Sequence, residues 1–427
     1  MTRRGHSCVA SSLRTGAALR VHSLLGFEEA RRIILGHVAA LGPEVVPAVE
    51  SVGRVLCAPL VAPWDLPLWN NSAMDGYAVR AEDCTGRVAL KVTGYVPAGG
   101  HSSEPVGPGL AVKILTGAPM PPGADAVVPL EKAQEQEGMV LVKGPVRAGA
   151  HVRRRGEDIG AGDAVVAART VIGPSEVSLF ATFARLSIPV FRRARVAILS
   201  TGDELVEPGE PLGPGMIYNT NAYGLAAAVK QVGGEPVVLG IARDDRASLA
   251  ALLRDGFRAD ALVTSAGISA GDRDLVREVL GELSARQVFY QVDIKPARPT
   301  AFAMWGDRPV FSLPGNPVSS LLAFEEFVRP ALLKMMGHRK IFRPLVKAVL
   351  TEDLEKRPGR VYFVRVRLEE RDGTLLAASA GRQETGILRT TAEADGIAVL
   401  PTEAGTIHAG ATVDVQVVRG GFEMRES

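Results

Sequence analysis

Three observations predict a multidomain chain with a central doubly wound α/β domain, a β-rich inserted domain and a small, barrel-like C-terminal β domain. Residues 195–337 alternate short apolar strands with helical stretches, the pattern of a parallel sheet covered on both faces. Residues 45–159 and 343–419 carry short apolar runs separated by Gly and Pro turns, as β-rich domains do. The length, 427 residues, is enough for several cores at roughly 150 residues each.

The elements follow in chain order. Residues 1–27 hold Arg3, Arg4, Arg14 and Arg20 and no acidic residue. They lack the apolar stretch of a secretory signal, and 1–22 reads as a disordered extension. Residues 24–41 have apolar side chains at helical spacing, stopped by Gly42-Pro43. Strands are predicted at 88–92, 109–114, 126–129 and 140–142, then a helix within 173–186. Next come VAILS (196–200), a helix at 221–232, PVVLG (236–240), a helix at 245–257 and ALVTS (261–265). A helix at 272–283, PVFSL (309–313) and a helix at 317–333 complete the α/β run. The expected division is 1–22 as extension, 23–60 with 160–190 as a discontinuous linker domain, 61–159 as the inserted domain, 191–341 as the α/β domain and 342–427 as the C-terminal domain.

Composition narrows the function. A net charge of +2 gives no support to bulk binding of nucleic acid or of an anionic membrane. A hydrophobic share of 46% excludes a largely disordered chain. Three cysteines without Cys-x-x-Cys spacing make no disulfide framework and fit a reducing cytoplasm. The histidines are scattered, which argues against a zinc site. No apolar run approaches the roughly 18 residues of a membrane helix. There is no Gly-x-x-x-x-Gly-Lys-Ser/Thr loop and no Gly-x-Gly-x-x-Gly fingerprint.

In open α/β sheets ligands bind beyond the carboxyl ends of the strands. Each strand here runs into a polar or Gly-rich end: Thr201-Gly202-Asp203-Glu204, Arg243-Asp244-Asp245, Ala266 through Asp274, and Pro314-Gly315-Asn316-Pro317. Glu204, Asp244 and Asp274 have the chemistry to share a divalent cation, with substrate phosphate completing its shell. Backbone N–H groups near Gly267 and Gly315 suit a phosphate at a helix start. Singly, each has a plainer role: Asp245 and Asp272 as helix N-caps, Asp203 in a turn, Gly267 and Gly271 as loop glycines. Four loaded strand ends together favour a site on this edge.

The inserted domain holds three further stretches: residues 69–78 around Asp75-Gly76, the Thr116-Gly117-Ala118-Pro119 turn, and Arg153-Arg154-Arg155-Gly156-Glu157-Asp158. The arginine run is either a solvated face or a grip for an oxyanion, and composition does not choose. Lys295-Pro296-Ala297-Arg298-Pro299 places two cations on a Pro-braced loop.

Six blocks in order, SAMDGYAVR (72–80), TGAPMPPGADAVV (116–128), RRRGEDI (153–159), STGDEL (200–205), the loop 265–274 and LPGNPVSS (313–320), resemble the signature blocks of MoeA-type molybdopterin molybdenumtransferases, relatives of the gephyrin C-terminal domain. The resemblance spans about 24–420 and implies a central molybdopterin-binding α/β domain and an elongated homodimer whose linker domain takes part in dimerisation. It implies insertion of molybdate into adenylated molybdopterin with release of AMP, assisted by Mg2+, in the cytoplasm. A molybdopterin adenylyltransferase is the pathway partner it implies.

Carried over residue by residue, the catalytic set is Asp75, Asp158, Glu204, Asp244, Asp274 and Lys295, with metal at Glu204, Asp244 and Asp274. The substrate-binding set is Thr116, Arg153, Gly267, Ser269, Gly271, Pro314, Gly315, Asn316 and Ser319. The chain departs from the family pattern at Ala266 and Ala297, where glycines are usual, at Arg298 and Gln291, where lysines occur, and at Thr385, where a serine is usual. An adenylyltransferase would need only the α/β segment and leave Asp75 and Arg153 unexplained. A gephyrin-like scaffold predicts a lost carboxylate set, and all five carboxylates are present.

Overall fold

The computed structural model describes residues 24–266 and 275–419. Two compact units divide the chain, Met1–Pro43 with Phe191–Ser427, and Glu44–Val190.

The larger unit is built on a six-stranded sheet. Its order is Glu235–Ala242, Arg195–Thr201, Ala261–Ser265, Arg308–Leu313, Ala301–Trp305, Arg286–Phe289. The first four strands are parallel, as their apolar runs predict; Ala301–Trp305 pairs antiparallel with both of its neighbours, so it alone runs the other way. The sheet is therefore mixed. Ala301–Trp305 and Arg308–Leu313 form a hairpin on the two-residue turn Gly306-Asp307, with Gly306 at φ 61°.

Alternation along one strand shows how both faces are buried. Val196 and Ile198 join one core, with the helices Phe27–His37 and Thr220–Gln231 and the stretch Pro317–Met335. Ala197 and Leu199 join the other, against Arg246–Gly256 and Leu275–Glu282. The long helical stretch predicted from Pro317 is interrupted by a π-helical turn, Phe324–Val328. The amino-terminal helix thus packs into the α/β core.

The C-terminal part of this unit is a closed barrel. Val361–Arg371 pairs with Thr374–Ser379, then Leu345–Leu350, Thr412–Val417 and Gly396–Leu400 follow, and the last pairs back onto Val361–Arg371. Closure leaves no free edge in the ring, and Val366, Ala377, Ala398 and Val415 fill its interior.

In the smaller unit a six-stranded sheet contains all four predicted strands, with Gly76–Val79 and Ala133–Gln136 added. Gly76 is required there: a Cβ would stand 2.1 Å from the Val128 carbonyl oxygen. A second core gathers Leu56, Phe180, Phe183, Ile188 and Val190 around the helix Pro174–Thr182. Among the described residues no helix is long and apolar enough to cross a membrane.

Candidate active site

On the α/β sheet, the carboxyl ends of two neighbouring strands are tied together. Arg195–Thr201 leads into Gly202, at φ 141°, which leaves room for the Glu204 carboxylate to fold back over it. Glu235–Ala242 leads into Asp244, whose backbone N–H donates to Asp203 Oδ1 at 3.1 Å. Arg243 Nη1 donates to the Asp203 carbonyl oxygen at 3.2 Å. Asp203, first read as a turn residue, therefore clamps the two ends.

The result is a patch of crowded negative charge. Desolvation, then the charges of Asp203 and Glu204, push the Asp244 carboxyl above the ordinary aspartate range. Asp245 plays the plainer role: its Oδ1 accepts from Ser248 N at 2.8 Å and caps the following helix.

Two clefts meet at this edge. One, of about 620 Å³, is lined by Gly202, Glu204, Arg243, Asp244, Arg246 and Ala266 among others. The other, of about 490 Å³, is lined by Glu204, Asn219, Asn221, Ser265, Ala266 and the loop Pro314–Gly315–Asn316 among others. Glu204 and Ala266 belong to both.

The second cleft has a hydrogen-bonded wall that the motifs did not point to. Ser200 Oγ donates to Asn219 Oδ1 at 2.7 Å, and Asn219 Nδ2 donates to Glu207 Oε1 at 3.0 Å. Asn219 Oδ1 also accepts from Ala222 N and caps the helix Thr220–Gln231, whose amino end opens on the cleft. Asn221 Nδ2 donates to Ser265 Oγ and to the Gly315 carbonyl oxygen, both at 2.7 Å, joining three strand ends. The available signal was Asn219-Thr220-Asn221 at a helix start, which reads equally well as a cap.

Ala266 and Ala297, the two alanines that stand where glycine is usual, both adopt φ 73°. A Cβ on Gly315 would lie 3.2 Å from the Ala266 Cβ, so the two loops already touch. Ser319 is buried within its helix. Lys295 lies on the strand Ile294–Lys295, exposed, with its ammonium 5.1 Å from the centre of the Tyr362 ring, and it does not line either cleft. Gly267, Ser269, Gly271, Asp272 and Asp274 lie outside the described residues, as does 1–22.

The smaller unit draws its predicted residues together through the backbone. Thr116 donates its N–H and its hydroxyl to Asp75 Oδ1, each at 2.7 Å, and these bonds hold the Asp75 carboxyl below its ordinary range. Gly117 N donates to the Ser72 carbonyl oxygen at 2.8 Å and Ser72 N to that of Ala118 at 3.0 Å. Val152–Arg153 pairs with Asn71–Ser72, which brings Arg153 beside the same turn. Arg155 does not face it: its Nε pairs with Asp65 Oδ2 at 2.5 Å, and its N–H donates to Asn70 Oδ1 at 2.8 Å. Asp158 is exposed on the adjoining turn, its N–H on the Leu66 carbonyl oxygen at 3.1 Å.

Three family models match successive parts of the chain. "MoeA N-terminal region (domain I and II)" covers residues 25–184, "Probable molybdopterin binding domain" 197–334 and "MoeA C-terminal region (domain IV)" 347–418. A molybdopterin molybdenumtransferase 2 of Mycobacterium tuberculosis is 38% identical over 399 residues, covering 91% of this chain and 98% of that protein. A molybdopterin molybdenumtransferase of Nostoc is 35% identical, covering 87% of each chain. A crystal structure of a molybdopterin biosynthesis MoeA protein from Pyrococcus horikoshii superposes with a TM-score of 0.83 at 32% identity, covering 93% of this chain and all of that one. With all three regions present in order and near full-length relatives on both sides, the chain belongs to the MoeA-type molybdopterin molybdenumtransferase family.

Proposed function

We propose that this chain inserts molybdate at the dithiolene sulfurs of adenylated molybdopterin and releases AMP, using a divalent cation, Mg2+, at the acidic edge of the α/β sheet. One observation carries the reading: Glu204 and Asp244, crowded by Asp203, line one cleft while Glu204 reaches into the neighbouring one. A substrate with a pterin at one end and a nucleotide at the other has two parts to seat and an anhydride to break between them.

Water attacks the adenylyl phosphorus and the phosphoanhydride P–O bond breaks: AMP gains the water oxygen, the pterin phosphate keeps the bridging oxygen, and negative charge builds on that oxygen. The donor set fits Mg2+, which is commonly held by one or two carboxylates and completed by substrate phosphates. Glu204 and Asp244 would hold it, with Asp274 as a further ligand; among the described residues no group of three metal-ligating side chains stands together. The cation supplies charge neutralisation. The chain's own groups supply the rest. The amino end of Thr220–Gln231 and the loop Pro314–Gly315–Asn316 offer N–H groups to phosphate. Gly267, Ser269, Gly271 and Ser319 complete the substrate-binding set. Lys295 is the proposed donor to molybdate in the larger unit; in the smaller unit Thr116 and Arg153 belong to the proposed substrate-binding set, and Asp75 and Asp158 to the proposed catalytic set.

The proposed working form is a cytoplasmic homodimer that receives its substrate from a molybdopterin adenylyltransferase. Purified protein given adenylated molybdopterin, molybdate and Mg2+ is expected to release AMP, followed by chromatography. Adenylation of molybdopterin from ATP would favour an adenylyltransferase instead. No turnover of either kind would leave a scaffold.

A further inference from the structure

Lys295 forms no ion pair among the described residues; the nearby Asp293 carboxylate pairs instead with Arg360 at 3.6 Å. The Lys295 backbone is fixed. Ile294–Lys295 adds in parallel to the barrel strand Val361–Arg371, with Lys295 opposite Tyr362. Beyond it, the Thr300 hydroxyl donates to the Ala297 carbonyl oxygen at 2.7 Å and Val292 N to that of Arg298 at 3.0 Å. The loose part is the four-carbon side chain, and its ammonium stands 5.1 Å from the centre of the Tyr362 ring. A ring face at this distance attracts a cation.

The ring is itself held. Its hydroxyl oxygen accepts from Arg357 N at 3.3 Å, and its backbone pairs with Leu400 across the barrel. A second ammonium, Lys356, also lies 5.1 Å from the ring centre. Lys356 differs in kind: it is buried and donates to the carbonyl oxygens of Thr402, at 3.3 Å, and Ala404, at 2.8 Å. One cation on the ring is locked into the barrel, and the other is exposed and available to a ligand.

We propose that Tyr362 is a positioning residue for the transferase reaction: its ring face holds the Lys295 ammonium in a restricted set of rotamers, ready to meet an oxyanion. The inference rests on the role proposed above for Lys295, and it makes the C-terminal barrel a working part of the site. The hydroxyl is not needed for this, only the ring.

The test is steady-state kinetics with the full-length protein, varying molybdate. Tyr362→Leu is expected to raise the KM for molybdate about two- to fivefold, the size of one exposed cation–π contact, with a smaller change in kcat. Tyr362→Phe, which keeps the ring, is expected to restore most of the wild-type KM. In a Lys295→Ala background, Tyr362→Leu is expected to add almost nothing, because the group it positions is gone. Should Tyr362→Leu fail to fold, Tyr362→Met takes its place. Equal KM values for the Leu and Phe variants, or a full Tyr362→Leu effect without Lys295, would overturn the positioning role alone. A Lys295→Ala enzyme with unchanged kinetics would overturn the role of Lys295 and the inference with it.

Discussion

Ala266 shows how much one residue can report. It lines both clefts and holds φ 73°, a region that costs an L-residue roughly 1–2 kcal/mol. Glycine would remove that cost and lose about 0.4–1 kcal/mol to its freer unfolded chain. Ala266→Gly is therefore expected to stabilise the fold by about 0.5–1 kcal/mol in denaturant unfolding. A destabilised variant would show that the methyl is worth more in packing than its backbone strain. The sequence made this position visible only as a departure from a family pattern; its dihedral angle came from the structure. Asp203 was hidden for a different reason. Asp after Gly is such a common turn signal that a clamp onto Asp244 N leaves no distinct mark.

The helices and strands that were legible are those whose own side chains define them. Arg195–Thr201 and Ala261–Ser265 are apolar on both faces, so they read as central parallel strands. Arg286–Phe289 and Ala301–Trp305 were missed because one begins with two polar residues and the other hides against a hairpin turn. The π-helical turn Phe324–Val328 also left no sequence mark, since its apolar spacing continues that of the helices on either side. Caps were legible where a short polar side chain precedes an amphipathic run. Asp245 is one, and Asp245→Ala is expected to cost about 1 kcal/mol while leaving activity intact. Loss of activity at full stability would mean that Asp245, and not only Asp244, belongs to the site.

Across the whole molecule, the barrel joins the α/β domain through a buried polar contact. Glu326, on the π-helical turn, meets Arg31 from the amino-terminal helix and accepts from Gln416 Nε2 of the barrel at 3.3 Å. Burial lifts its carboxyl to about 7, against the pull of Arg31 and the Gln416 amide, with Glu325 adding to the rise. A carboxyl whose folded pKa lies above its unfolded one binds the proton more tightly when folded. Its contribution is full below the unfolded value of 4.5 and is lost as pH rises through about 7. Unfolding free energy is expected to fall over that window, and Glu326→Gln should flatten the decline; an unchanged slope would assign it to other groups. The barrel-like C-terminal domain was legible from its short runs and glycines, but which strands pair around the ring was not, because ring pairing joins strands distant in sequence. The acidic edge was legible as Glu204 and Asp244 grouped at one site, and only the fold shows Asp203 acting on Asp244 beside Glu204. The most direct test counts products: AMP released and molybdenum inserted, measured in the same reaction with adenylated molybdopterin, molybdate and Mg2+. The account predicts equal amounts for the wild type and a drop in both, at least tenfold, the rate loss for about 1.4 kcal/mol of transition-state stabilisation, for Asp244→Asn. Molybdenum insertion without AMP, or an Asp244→Asn enzyme as active as the wild type, would contradict it.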